Sequence, residues 1–475
     1  MINIRISESL NTGKGKLRLW IIVFLCLSVL LVSFLELQGI IFLISLPLLI
    51  FIPATLIKKP KQAIWFSFVM AFFISGFSRY ISIPWGLSID IILFLAWIGL
   101  AFHKNVKWKR LNNDIFILSL IWFGYICIEF INPNGNGALA WFYAMRGIGF
   151  YQILSFGIVF LFFDEKRDLE KFIYLLIALS ILGTIWGFKQ QLGFLDFAEN
   201  HWLFAENHQD EHILHGVLRV FSFYSDAGQF GANQAMVSLL CSVLFLGPHS
   251  FFKKSIFLIA ALVCFLGFAI SGTRGALAIP AFGGLFYLIA SRNFKVLFSG
   301  IIFFLLIFLI LKYTFMFQGI EQVRRMRSAL DPNNPSLMVR LQNQKVFGEY
   351  LADKPFGGGI GTAGYWGFRF NPGSLMANTA TDSWYVKIWA ETGIVGITFH
   401  IATLMYIMAM GFKVTGNIKS QNLRSYALAL YAAIGGVLFS SYGNQVFGQM
   451  PTGMIMNLAI PFLFIIHKID QKENS

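Results

Sequence analysis

The sequence predicts an all-α protein, a polytopic membrane helical bundle of about 14 transmembrane helices that forms one membrane domain over residues 1–475. Of the 475 residues, 57% are hydrophobic and only 13% are charged, whereas soluble domains carry about 25% charged residues. Apolar runs of roughly 17–25 residues, long enough to cross a bilayer as a helix, recur along most of the chain. A single long polar stretch, 315–385, interrupts these runs.

We predict spans near residues 19–37, 39–57, 63–82, 85–102, 113–131, 146–163, 171–188, 229–247, 255–270, 275–291, 296–314, 386–410, 426–441 and 451–467. We number each gap by the span that it follows. Lysine and arginine concentrate in the even-numbered gaps, at 58–61, 103–110, 164–171, 253–254, 292–295 and 413–424. Short cytoplasmic loops are enriched in these residues. We therefore expect the even-numbered gaps and both termini to be cytoplasmic. The net charge of +14 is then explained by membrane orientation, and no nucleic-acid partner is predicted.

The stretch 315–385 is predicted to be a large loop on the outer side of the membrane, inserted between the eleventh and twelfth spans. It carries Arg324, Arg325, Arg327 and Arg340. Residues 336–352 have the pattern of a short amphipathic helix, and the glycine-rich run 357–361 follows it. Such a run lets the backbone turn sharply or approach a ligand closely. An alternative is a helix that lies on the membrane surface and is followed by a glycine hinge.

Two further arginines and two carboxylates fall at the predicted outer ends of spans. Arg219 precedes the eighth span, Arg274 lies between the ninth and tenth, and Asp382 and Glu391 flank the start of the twelfth. Guanidinium groups bind diphosphates bidentately, and a carboxylate can orient or deprotonate a sugar hydroxyl. Lipid-linked phosphates are therefore the leading candidate ligands. The alternatives are an Arg274 that snorkels to headgroups and an Asp382 that caps the twelfth span.

Four segments together resemble the O-antigen ligase and O-antigen polymerase superfamily. They are the run 219–223, the Ser-Gly-Thr-Arg-Gly-Ala turn at 271–276, the stretch 340–361 with its glycine-rich end, and the Trp-Ala-Glu-Thr-Gly-Ile-Val-Gly segment at 389–396. The resemblance implies a metal-independent glycosyltransferase that needs no cofactor. It would act on undecaprenyl-diphosphate-linked glycans at the periplasmic face of the bacterial inner membrane. It also implies that Arg219 and Arg274 contact the donor diphosphate and that Arg340 belongs to the large-loop arginine set.

One position departs from the ligase pattern. The ligase branch carries a histidine where this chain has Asp382, nine residues before Glu391. This difference favours an O-antigen or exopolysaccharide polymerase, with an O-antigen ligase proper, or a transporter or flippase for lipid-linked saccharide, as alternatives. The predicted catalytic residues are Asp382, Arg274 and Arg219, and the predicted substrate-binding residues are Arg340, Arg324, Arg325, Arg327, Tyr224 and Glu391.

The histidines of the 190–230 loop allow a different hypothesis. His208, His212 and His215 could share a helical face and ligate zinc, or His215 could act as the general base near Arg219. We predict neither a metal nor another cofactor. The predicted partners are the lipid-linked glycan donor, a saccharide or lipid acceptor, membrane lipids and, as a further possibility, a chain-length regulator or flippase.

Overall fold

The structure, a computed structural model, describes residues 51–104, 106–214, 216–316, 318–319, 321–328, 331 and 334–474. Its helices are α1 (Pro60–Tyr80), α2 (Gly86–Phe102), α3 (Asp114–Ile128), α4 (Ala138–Met145), α5 (Tyr151–Phe162), α6 (Lys166–Gln191), α7 (Phe197–Asn200), α8 (Gln209–His212), α9 (Ala227–Leu246), α10 (Phe251–Ser271), α11 (Ala278–Ser291), α12 (Phe294–Tyr313), α13 (Glu321–Ser328), α14 (Pro335–Tyr350), α15 (Gly364–Phe370), α16 (Leu375–Asn378), α17 (Trp384–Asn417), α18 (Gln421–Ser440) and α19 (Thr452–Asn474). A two-stranded antiparallel hairpin, β1 (Ile213–Leu214) and β2 (Val217–Leu218), lies between α8 and α9.

The predicted helical membrane bundle is confirmed within the described residues, where 11 helical segments are long and apolar enough to cross a membrane. With the shorter apolar helix α2, they match every predicted span from 63–82 onward. The predicted spans 19–37 and 39–57 lie outside the described residues, except for the helical end of the second.

The sixth span begins earlier than predicted. Its helix starts at Ala138 and runs through a π-helical turn at Arg146–Phe150 into α5. The span predicted from sequence starts at Arg146, and an uncompensated arginine would be costly inside a bilayer. The structure compensates that charge, since Arg146 Nη1 lies 2.7 Å from Asp90 Oδ2 of α2.

The even-numbered gaps meet at one end of the bundle. Ion pairs join them: Lys61–Asp168 at 2.7 Å, Arg110–Asp164 at 2.5 Å, Lys253–Glu170 at 2.8 Å and Lys472–Asp164 at 2.6 Å. Contacts between odd-numbered gaps form the other end, where Asn132 Nδ2 donates to Phe356 O over 3.1 Å and Trp384 N donates to Ser441 O over 2.9 Å. The chain therefore alternates between the two ends as predicted. That the first end faces the cytoplasm stays a prediction. The end formed by the odd-numbered gaps is called the outer end.

A close crossing of α11 and α18 sets the geometry of the outer end. A Cβ on Gly283 would lie 2.6 Å from Ala432 O, and one on Gly436 would lie 2.6 Å from Ile279 O. Small residues let helix backbones approach each other in this way. The turn before α11, where Arg274 lies, is consequently held beside the end of α18.

The large loop is folded. The predicted helix at 336–352 is confirmed as α14, and α13, α15 and α16 also lie within residues 315–385. A small satellite core joins the loop to the start of α17; its buried members are Phe347, Leu351, Ala363, Met376, Val386 and Ala390. The loop is therefore a structured part of the outer end.

Candidate functional site

A cavity of about 1760 Å³ opens at the outer end of the bundle, and its lining has two zones. One zone is polar and basic, lined by Arg219, Arg274, Arg324, Arg325, Arg340, Ser328, Asp331, Asn334 and Asn444. The other is an apolar groove between three helices, lined by Ala278, Ala281, Phe282 and Phe286 of α11, Ile401, Leu404, Met405 and Met408 of α17, and Leu438 and Phe439 of α18.

Arg274 lies in the turn that joins α10 to α11. Gly272 ends α10 in the left-handed conformation, with φ 58°, which glycine adopts without steric cost. Arg274 Nη1 donates to Ser328 Oγ over 3.1 Å, and its charge is within electrostatic range of Arg340 and Arg325. The turn thus brings Arg274 into a group of like charges, which favours a bound anion.

Arg219 follows the β1–β2 hairpin and reaches the same turn. Its backbone N–H donates to His212 O over 2.7 Å, and its Nη1 donates to Glu211 O over 3.1 Å. Its Nη2 donates to Thr273 Oγ1 over 3.4 Å, directly beside Arg274. Burial, opposed by Asp226 and reinforced by nearby arginines, lowers the pKa of Arg219. An anion in the cavity would relieve the same repulsion.

The segment after Arg219 is fixed by α1. The Arg79 guanidinium lies over the rings of Trp202 at 4.2 Å and Phe221 at 4.5 Å. It also donates to Ser222 O over 2.7 Å and to Tyr224 O. These contacts give the 219–224 segment a rigid base in the bundle.

Tyr224, predicted to bind substrate, is placed away from the cavity. Its side chain is completely buried, and its hydroxyl accepts a hydrogen bond from Asn233 Nδ2 over 2.8 Å. Tyr224 therefore contributes to packing between helices, and a substrate in the cavity would not touch it.

The arginines of α13 divide into two groups. Arg324 and Arg325 line the cavity, and Arg325 Nη2 donates to Leu214 O over 3.3 Å. Arg327 does not line it, because its guanidinium donates to Thr314 O and, over 2.6 Å, to Met316 O. Arg327 thus anchors α13 to the chain that follows α12, and its predicted role in substrate binding stays a prediction.

Asp382 does not itself line the cavity, but it lies at its edge beside Arg340, which does. Asp382 Oδ2 is 3.8 Å from Arg340 Nε. Asp382 has a φ of 44°, a left-handed conformation that is uncommon outside glycine. It is not the helix cap considered from sequence, since Ser383 occupies that position and its side chain accepts from Val386 N.

Glu391, also predicted to bind substrate, is absent from the cavity lining. It is fully buried, and its Oε1 accepts a hydrogen bond from Ala363 N of the large loop over 3.3 Å. The structure therefore places this carboxylate between α17 and the loop.

The apolar groove continues inward from the basic zone. Phe286 lies 12 positions after Arg274 in the sequence, which corresponds to about 18 Å along a helix. The side of the groove is open, because Met405 is 68% exposed and Phe439 is 47% exposed. Such a groove suits an acyl or polyprenyl chain that enters from the surrounding lipid.

The sequence of this chain is similar to proteins of O-antigen assembly. Residues 259–401 match the O-antigen ligase family. The chain is also 26% identical over 294 residues to an O-antigen polymerase of Salmonella muenchen, which covers 59% of this chain and 69% of that protein. Both matches are to proteins of O-antigen assembly, the superfamily that the sequence motifs resemble. The matches and the apolar helices support a multi-pass bacterial membrane protein that acts in O-antigen assembly.

Several polar residues of the cavity were not singled out from sequence. Thr273 and Ser328 hold the two principal arginines, and Asn444 comes from the turn after α18. A Cβ on Gly275 would lie 3.0 Å from Asn444 Cγ. The turn near Asn444 was recognised as an outer loop, but its approach to Gly275 depends on the crossing of α11 and α18.

The histidines give no support for a zinc site. Among the described residues there is no group of three or more His, Cys, Asp or Glu side chains that could hold a metal ion. His208 stacks on Trp202 with ring centroids 4.4 Å apart, and His212 Nδ1 lies 3.1 Å from His208 O. His215, considered as a zinc ligand or general base, lies outside the described residues.

Proposed function

We propose that this chain is a glycosyltransferase that extends a saccharide carried on a polyprenyl diphosphate, most specifically an O-antigen or exopolysaccharide polymerase. The observation that carries the proposal is the continuity of one cavity. Its arginine zone suits a diphosphate, and the adjoining apolar groove suits the lipid chain attached to that diphosphate. A polyprenyl diphosphate combines these two chemistries in one molecule.

Arg219 and Arg274 are the proposed diphosphate ligands, with Arg324, Arg325 and Arg340 extending the basic surface. Arg219 and Arg274 belong to separate segments that meet at Thr273. Guanidinium groups remain charged and offer paired donors to phosphate oxygens. Charge that develops on the leaving diphosphate would be stabilised by donors already in place, which is commonly the largest catalytic contribution.

The reaction would be a substitution at the anomeric carbon of the donor. An acceptor hydroxyl oxygen forms the new bond to that carbon. The bond from the carbon to the diphosphate oxygen breaks, and polyprenyl diphosphate leaves with the electron pair. Asp382 would take the hydroxyl proton or orient the hydroxyl, since it stands beside Arg340 at the rim. Positioning both substrates supplies much of the remaining acceleration.

Polymerisation is favoured over ligation by Asp382. It occupies the position at which the ligase branch has a histidine, so the imidazole expected to activate a lipid A-core acceptor is replaced by a carboxylate. The relative from Salmonella muenchen is an O-antigen polymerase, whereas the matching family is named for the O-antigen ligase, so the choice of polymerase rests on Asp382.

Deletion of the gene, complemented with the wild-type chain or with Arg274→Ala, tests the proposal on a gel of surface polysaccharide. A polymerase predicts loss of long chains while single repeat units stay attached. Loss of all attached glycan would identify a ligase. If the glycan length were unchanged but the lipid-linked precursor were distributed differently between the two sides of the membrane, the chain would be a transporter or flippase.

The membrane placement belongs to the same proposal. The 315–385 loop and the cavity would face the periplasm, and both termini would lie in the cytoplasm of an inner-membrane protein. Reporter fusions after Asn417 and within the loop test this orientation. Cytoplasmic activity of the loop fusion would overturn it.

A further inference from the structure

Helix α17 is interrupted at Gly393, where φ is 64° and ψ is −167°. Gly393 follows Trp384 by nine positions, which places the break about 13 Å along the helix. Non-helical backbone at membrane depth is tolerated only where other protein groups or a water-filled cavity satisfy it. The groups that hydrogen-bond to the backbone at this break therefore indicate its structural role.

The glycine-rich segment of the large loop supplies the partners. Gly358 N donates to Ala390 O over 2.9 Å, and Gly359 N donates to Glu391 O over 2.9 Å. In the opposite direction, Val395 N donates to Pro355 O over 3.2 Å. The loop thus completes the hydrogen bonding of the interrupted helix.

This contact is backbone against backbone. A Cβ on Gly357 would lie 2.7 Å from Glu391 C, and a Cβ on Gly393 would overlap Pro355 O. Both glycines also have positive φ, 76° and 64°. Neither position accepts a side chain without moving the loop away from the helix.

Glu391 adds a side-chain contact to this joint. Its carboxylate is fully buried, and Oε1 accepts from Ala363 N over 3.3 Å. Ala363 and the neighbouring Ala390 both belong to the satellite core. Phe347, from the helix that carries Arg340, is in the same core. Glu391 is therefore connected through packed residues to the segment that holds Arg340.

We propose that Glu391 is a positioning residue that fixes the large loop on the interrupted helix and thereby sets Arg340 and Asp382 at the rim of the cavity. This inference rests on the proposed glycosyltransferase function. Arg219 and Arg274 lie on other elements and do not depend on this joint. Loss of Glu391 should therefore impair the chemical step while the donor still binds.

The test compares Glu391→Ala with Glu391→Gln in protein purified into nanodiscs. The substrate is undecaprenyl-diphosphate-linked glycan extracted from the host's own membranes. A misplacement of about 1 Å costs on the order of 100-fold in rate. We expect Glu391→Ala to lower kcat by about 100-fold while KM for the donor rises by a smaller factor, because Arg219 and Arg274 stay in place and only the contact of Arg340 with the donor is lost. Glu391→Gln keeps an acceptor for Ala363 N and should retain kcat within about threefold of the wild type.

Limited trypsin digestion supplies a second measurement. Glu391→Ala should be cut faster at Lys345 in the loop, while the membrane spans stay intact and the protein level stays normal. Unchanged kcat in Glu391→Ala, or equal losses in the alanine and glutamine variants, would overturn the inference. Failure of the proposed function is distinguishable, because Arg274→Ala would then also leave the glycan unchanged.

Discussion

Replacement of Arg274 by alanine should abolish most glycan extension while the protein still accumulates in the membrane. Arg274 Nη1 donates to Ser328 Oγ over 3.1 Å, and among the described residues it has no ion-pair partner within 4.0 Å. Its neighbours Arg340 and Arg325 repel it, so its removal relieves repulsion in the empty cavity. The stability cost is therefore small.

The catalytic cost is expected to be large. Loss of one preorganised donor to a developing negative charge costs about 2.7–4 kcal/mol, or roughly 100- to 1000-fold in rate. Lysine keeps the charge but loses the second of two parallel bonds to phosphate. A hydrogen bond to a charged group contributes about 1.5–3 kcal/mol, so Arg274→Lys should lose roughly 10- to 150-fold.

Arg292→Ala is the matched control. Arg292 lies at the opposite end of α11, where its guanidinium stands 4.8 Å over the Phe412 ring and its Nη2 lies 3.5 Å from Phe412 O. Surface polysaccharide is analysed on gels in a deletion strain, and protein levels are measured by immunoblot. Long chains of normal length with Arg274→Ala, or equal defects in Arg274→Ala and Arg292→Ala at equal protein levels, would refute the reasoning.

Three other measurements follow. Arg325→Ala should shorten chains and raise the donor KM more than Arg327→Ala does, because Arg325 lines the cavity and Arg327 only anchors the helix that carries it. Asp382→Asn should lower kcat by about 100-fold or more without lowering thermal stability, since asparagine tolerates the left-handed φ of 44°. Burial lowers the pKa of His212 to about 4 from 6.5. Between pH 4 and 6.5 the unfolded chain therefore binds more protons than the folded chain. The contribution of His212 to the free energy of unfolding is full above pH 6.5, and that free energy falls by about 3 kcal/mol as the pH drops to 4.

Each of these predictions has a control and a contradicting result. If Arg325→Ala and Arg327→Ala raised the donor KM equally, the position of Arg325 in the cavity lining would not explain its effect on donor binding. Asp353→Asn, at a loop carboxylate that is 81% exposed, should keep full activity; Asp382→Asn with wild-type kcat would exclude Asp382 as base or orienting group. His212→Gln should reduce the dependence of the unfolding midpoint on pH, and an identical slope in both proteins would contradict the assignment.

The sequence by itself determined the spans and the alternation of their ends. The length of apolar runs and the distribution of lysine and arginine are local properties of the sequence. Within the described residues, each span predicted from them, from 63–82 onward, coincides with a helix in the structure. The same local properties also placed the arginine-rich loop and α14. The start of the sixth span was misjudged, because the charge of Arg146 is compensated by Asp90 from another helix.

Tertiary structure decided which charged residues meet. Arg325 and Arg327 are two positions apart on one helix, yet one lines the cavity and the other binds backbone carbonyls, because positions two apart face different sides of a helix. Tyr224 follows one motif segment and Glu391 lies within another, but both are buried by partners from other segments. Local pattern predicts helices, whereas the direction of each side chain depends on packing between segments far apart in the chain.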